Sequence, residues 1–118
     1  MRHLRDSDGA EEACRLLSAL LDARAAWFLR EGRDRACVEL RRGEWGLRVA
    51  GGALVLSCRG ESGARSWRVR AWGSEGEALI LDTAGRAGAR PSMLWLVPRA
   101  LVASAREAVA EARRAECE

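Results

Sequence analysis

The feature that most limits how this chain folds is a change of period. Up to residue 31 the apolar side chains return at helical spacing, and from residue 36 they alternate in short runs divided by glycine-bearing turns. Leu16, Leu17, Leu20, Trp27 and Phe28 share one helical face opposite Glu11, Arg15, Ser18 and Asp22, which predicts a helix over 8–31. Asp8 with Glu11 forms a capping-box pattern at its start, and Gly32 supplies a left-handed stop at its end.

The alternating runs that follow are separated at Arg42-Gly43, Gly51-Gly52, 60–63 and 73–76, which predicts an antiparallel β-meander of five to six strands over 36–97. A two-residue loop at Gly51-Gly52 sets Val49 opposite Leu54, Leu47 opposite Leu56 and Trp45 opposite Cys58, so one face stays apolar. The same reasoning at Arg42-Gly43 sets Leu40 opposite Trp45 and Val38 opposite Leu47. In the run 66–72, alternation turns Trp67, Val69 and Ala71 inward and Arg68, Arg70 and Trp72 outward. A wider turn then sets Ser57 opposite Arg68 and Val55 between Arg48 and Arg70.

Pro98 opens a second helix over 98–116, whose narrow stripe is Leu101, Val102, Ala105, Val109 and Ala112. The expectation is therefore one α+β domain over 1–118: N-terminal helix, meander, C-terminal helix.

Composition then removes chemistries. The chain has 118 residues and a formal charge of +3, with no Lys, Asn, Gln or Tyr, so all 20 basic residues are Arg. No lysine means no Schiff-base nucleophile and no Lys-closed phosphate loop. For that reason the run Leu79 to Arg86, which resembles the magnesium-sensing strand end of the signal-recognition GTPases, reads instead as an apolar strand closed by an Asp82-Thr83 turn before a glycine. Abundant Ala, Gly and Arg also match GC-rich coding, which lowers the weight of the arginine count.

Cys14, Cys37, Cys58 and Cys117 lack the paired spacing of a zinc site, and Asp6-Ser7-Asp8-Gly9 breaks the calcium-loop pattern at Ala10, so no metal or other cofactor is expected. The sole histidine, His3, is poorly placed to serve as a catalytic base, and no catalytic residues are assigned. The start of the chain lacks a signal-type apolar run and no segment is long enough to span a bilayer, so a cytoplasmic location with reduced thiols is expected.

Two apolar runs break the alternation. Residues 78–81 and 93–97 are apolar on both parities, as strands are when covered on both sides. The leading functional expectation is thus a non-catalytic interaction or accessory module that docks a protein partner or a second copy through Leu79, Leu81, Met93, Leu94, Trp95 and Leu96. In the alternative covering, one helix lies on each face of the sheet.

A second functional reading is nucleic-acid or anion binding by an outer sheet face carrying Arg48, Arg68, Arg70 and Trp72, with small residues for a floor and Glu39 and Glu44 as counterweights. A third is a small-molecule pocket lined by Trp45, Trp67 and Trp95.

Overall fold

The computed structural model describes residues 5–6, 9–32, 37–60, 63–83 and 92–117. In chain order they form β1 (Arg5–Asp6), α1 (Ala10–Asp22), β2 (Ala26–Glu31), β3 (Cys37–Arg41), β4 (Trp45–Ala50), β5 (Ala53–Gly60), β6 (Gly63–Glu75), β7 (Ala78–Thr83), β8 (Ser92–Pro98), a 3-10 turn (Arg99–Leu101) and α2 (Ala105–Cys117). Asp8, expected to cap the first helix, Ala36 and the break at 84–91 lie outside the described residues. The class is α+β, with the expected helix, antiparallel sheet and helix in order.

The sheet runs β3-β2-β8-β7-β6-β5-β4, so β4 to β8 are a meander and the β2-β3 hairpin adds to its β8 edge. Its two edge strands, β3 and β4, are joined by a turn of three residues, Arg42 to Glu44. That connection dictates the shape. Laid flat, seven strands at ~4.8 Å spacing would hold the edges nearly 30 Å apart, and the short turn reaches only about half that distance. The sheet must curl, and it forms a half-barrel around α1.

Ala10, Ala13, Leu17 and Leu21 of α1 fill the concavity against Leu54, Leu56, Val69, Trp72, Leu79, Leu81, Leu94 and Leu96. On the convex side α2 lays Ala108 and Ala112 against Phe28, Ile80, Trp95 and Val97. Both faces of the central strands are covered by the chain's own helices, which explains why 78–81 and 93–97 are apolar on both parities.

The first helix is shorter than expected. It starts at Ala10 with Gly9 in the cap position and ends at Asp22, and Ala26–Glu31 is a strand. Trp27, Phe28, Leu29 and Arg30 are all buried. Four consecutive residues spaced 100° apart on a helix cannot all face one core, whereas a strand between two layers buries both parities. The Trp27 indole N–H donates to the Leu21 carbonyl at 2.9 Å, tying the end of α1 to the new strand. Gly32 adopts φ 57°, but it ends β2, where its N–H donates to the Met93 carbonyl at 2.6 Å.

The register at Gly51-Gly52 is as expected: Trp45, Leu47 and Val49 face Cys58, Leu56 and Leu54. Both glycines have positive φ, 59° and 77°, the geometry of a tight two-residue hairpin turn. The pairing expected across Arg42-Gly43 does not form. Val38 and Leu40 pair with Leu29 and Trp27 of β2 instead. Five to six strands become eight, counting the two-residue β1, because 26–31 and 5–6 join the sheet.

The C-terminal helix also starts later. Pro98 is the last residue of β8, opposite Trp27. The helix proper is set by Ser104: its hydroxyl accepts the Glu107 N–H at 3.3 Å, and the Glu107 carboxylate accepts the Ala103 N–H at 2.6 Å. This S-x-x-E box opens α2 at Ala105 and leaves Leu101 exposed ahead of it.

Candidate functional site

The six residues expected to dock a partner belong to the interior of the folded chain. Leu79, Leu81, Leu94 and Leu96 pack under α1, Trp95 packs under α2, and Met93 is half-buried beside it. Leu79 is 3% exposed and Leu81, Leu94, Trp95 and Leu96 are 1% or less, so what covers them is the protein itself.

The Trp trio divides in the same way. Trp45 and Trp67 pack on the concave core while Trp95 lies on the opposite side of the sheet, so the three do not line one pocket. At the concave mouth the Trp67 indole N–H donates to the Glu31 carboxylate at 2.8 Å, and the Arg65 guanidinium sits 5.9 Å from the Trp67 ring and 3.9 Å from Glu31. These contacts fix the Trp67 ring against the concave core.

Cys58, opposite Trp45 and Arg65, is buried in the same core, and burial pushes its thiol pKa up, with Arg65 opposing and Glu31 and Glu44 adding in the same direction as burial. Desolvation outweighs the nearby cation, so this thiol gives up its proton less readily than an ordinary cysteine. Thiol alkylation at mildly basic pH should therefore modify Cys14 and Cys37, both half-buried, well before Cys58. Peptide mass mapping over time checks this order, and equal labelling of all three would contradict it. Because the folded state holds this proton more tightly, stability should fall as pH climbs past the ordinary thiol range.

A different surface is left open. Alternation along β4, β5 and β6 places Gly46, Arg48 and Ala50, then Ala53, Val55, Ser57 and Arg59, then Ala64, Ser66 and Arg68 on the outer face. The aligned pairs Arg48 with Val55 and Val55 with Arg68 put two guanidiniums on alternate strands, with backbones about 10 Å apart. One row along, Gly46, Ser57 and Ser66 form a shallow floor. Arg48 Nη1 donates to Ser57 Oγ at 2.8 Å, holding this guanidinium across the floor.

Neither described helix packs here: α1 is in the concavity, and α2 contacts β2, β3 and β8. Between Trp45 and Gly73 the sequence has five arginines and one carboxylate, Glu61, which lies outside the described residues.

Three details differ from the sequence-based picture. Arg68 is opposite Val55 and Ser66 opposite Ser57, because the β5-β6 turn closes on Gly60 and Gly63. The register then slips between Val69 and Ala71, leaving Arg70 as the extra residue. That slip reverses the parity beyond it, so Trp72 points into the core at 5% exposure and offers the outer face no ring. Arg70 itself reaches both carboxylate oxygens of Asp82, at 3.0 and 3.2 Å.

Two further points bear on the charge of this face. Arg59 belongs to it and was legible in the sequence, having the parity of Val55 and Ser57. Of the expected counterweights, Glu39 sits on β3 beside Arg41 and Arg99, at 3.7 and 3.8 Å, and Glu44 accepts the Arg41 N–H at 2.6 Å in its turn.

Fold and site together define an α+β domain whose curled antiparallel sheet holds one helix inside and one behind, leaving an arginine-bearing flank uncovered. No protein-family model, curated protein or solved structure matches it. Among the described residues no group of three or more His, Cys, Asp or Glu is placed to hold a metal ion, and no helix is long and apolar enough to cross a membrane.

Proposed function

We propose that this protein is a non-catalytic accessory module that binds nucleic acid through the outer face of β4, β5 and β6. The observation that supports this reading is the uncovered face itself, where Arg48, Arg59 and Arg68 are exposed over a floor of small residues. A sheet needs only alternating polar residues to be soluble on its outer side, and mixed signs serve that end best. One-signed charge over Gly, Ala and Ser does something more, because it lets a phosphate backbone approach the strands closely. Docking through Leu79, Leu81, Leu94, Trp95 and Leu96 draws no such support, since those side chains are buried by the chain's own helices, and Met93 alone of the six is half-buried.

Fluorescence anisotropy with labelled nucleic acid over a range of salt tests the proposal. Three or four phosphate contacts predict a log–log salt slope of about −3 to −4 for a duplex. Arg48→Ala with Arg68→Ala should make the slope shallower by about 2 and weaken binding at least tenfold at low salt. Both side chains are exposed, so the double variant should unfold at the wild-type temperature. Binding that ignores salt, or that survives the double substitution unchanged, removes the proposal.

A further inference from the structure

We infer that the nucleic acid taken by this face is double-stranded and is held by its phosphates without reading of base sequence, an inference that rests on the function just proposed. Single strands are gripped chiefly by stacking their bases on aromatic side chains, each stacked base adding substantially to affinity. Every tryptophan near this face is turned away from it: Trp45, Trp67 and Trp72 pack on the concave core, and Trp95 lies beneath α2. The register slip at Arg70 is what removes the last candidate, since unbroken alternation would have left Trp72 outside. A single strand laid here would find charge and no platform.

Base edges fare no better. The side chains that read them most often are Arg, Lys, Asn and Gln, and this chain contains no Lys, Asn or Gln. Of the arginines, Arg70 is engaged by both oxygens of Asp82, and Arg48 gives one N–H to Ser57, which holds its guanidinium down along the floor where a phosphate, more than a base edge, meets its remaining donors. The rest of the floor is Gly46, Ala53, Val55, Ser57, Ala64 and Ser66, too short to reach into a groove.

What remains is a small set of cations, and for a fixed number of cations the ligand of higher linear charge density binds more tightly. A duplex presents one charge per ~1.7 Å of axis, about twice the density of one of its strands, and releases more counterions for each contact. Arg48 and Arg68, about 10 Å apart at the backbone on either side of Val55, also suit two phosphate chains flanking a groove better than one flexible chain.

Anisotropy with three probes tests this: two DNA duplexes of about 20 base pairs and unrelated sequence, and oligo-dT of the same length. The expected result is that both duplexes bind equally within about twofold, that oligo-dT binds about tenfold more weakly, and that Arg48→Ala with Arg68→Ala weakens all three. Tighter binding of oligo-dT, or a large difference between the duplexes, would overturn this inference while leaving the nucleic-acid reading intact if the double variant still lost affinity. Failure of every probe to bind, or indifference to the double variant, would overturn both.

Discussion

Leu79→Asp is expected to unfold the chain, and not to release a smaller folded species from an oligomer. Leu79 is 3% exposed in a strand flanked by β6 and β8, opposite Ser74 and Leu96, and it packs in the core that holds α1. Replacing it forfeits about 2 kcal/mol of apolar burial, and an unpaired carboxylate at the same place costs several kcal/mol more whether it stays charged or takes up a proton. A domain of this size has about 5–15 kcal/mol in all, so the sum consumes most or all of it.

Circular dichroism with light scattering reads the result: loss of the far-ultraviolet signal and of the thermal transition at every concentration. A folded variant of lower mass than wild type would mean that another chain covers this strand. Leu81→Ala gives the graded version, a soluble protein whose denaturant midpoint corresponds to a loss of about 2–5 kcal/mol at a site that is fully buried.

The same strands show what could be read from the sequence and what could not. Apolar residues on both parities at 78–81 and 93–97 meant cover on two sides, and that much was legible because burial acts residue by residue. Whether the cover came from the chain or from a partner depended on where α1 and α2 dock, which no local pattern states. Register at Gly51-Gly52 was legible because two positive-φ glycines fix a two-residue hairpin.

Register at Arg42-Gly43 was not, because a three-residue turn looks the same whether its strands pair or open the two edges of a curled sheet. Trp27 and Phe28 fell seven and eight residues after Leu20, a spacing shared by a helical stripe and by a strand buried on both faces. At the candidate site Arg48 and Arg68 were placed on the outer face as alternation requires. Trp72 was misplaced by one extra residue in β6, an irregularity that backbone geometry creates and side-chain pattern does not announce.

No sequence pattern marked Arg30 either, and the second large effect is expected there. Its side chain is 2% exposed on the convex side of β2, its guanidinium 5.7 Å from the Trp95 ring and donating to the Glu116 carboxylate of α2 at 3.0 Å. Its Nε has no hydrogen-bond partner among the described residues. Apart from this ion pair, α2 is held mainly by Ala108 and Ala112, which bury little area apiece, so the pair carries an unusual share of the docking.

Glu116→Ala should therefore cost about 2–3 kcal/mol: it leaves a buried cation uncompensated, moderated because the carboxylate is itself 34% exposed and water can partly replace it. Arg30→Met in the same chain should recover most of that loss, because an apolar side chain of similar length fills the space over Trp95 without a charge to solvate.

Denaturant midpoints of the wild type, the two single variants and the double variant complete the cycle, and amide exchange in α2 reports whether the helix loosens ahead of the rest. A buried ion pair of this kind fixes where a helix sits more than it adds to net stability. Amide exchange in the Arg30→Met, Glu116→Ala double variant should consequently stay faster in α2 even where its midpoint matches the wild type. Should Glu116→Ala leave both midpoint and exchange unchanged, α2 is held by its alanines alone and the cation beneath it is compensated by some other group.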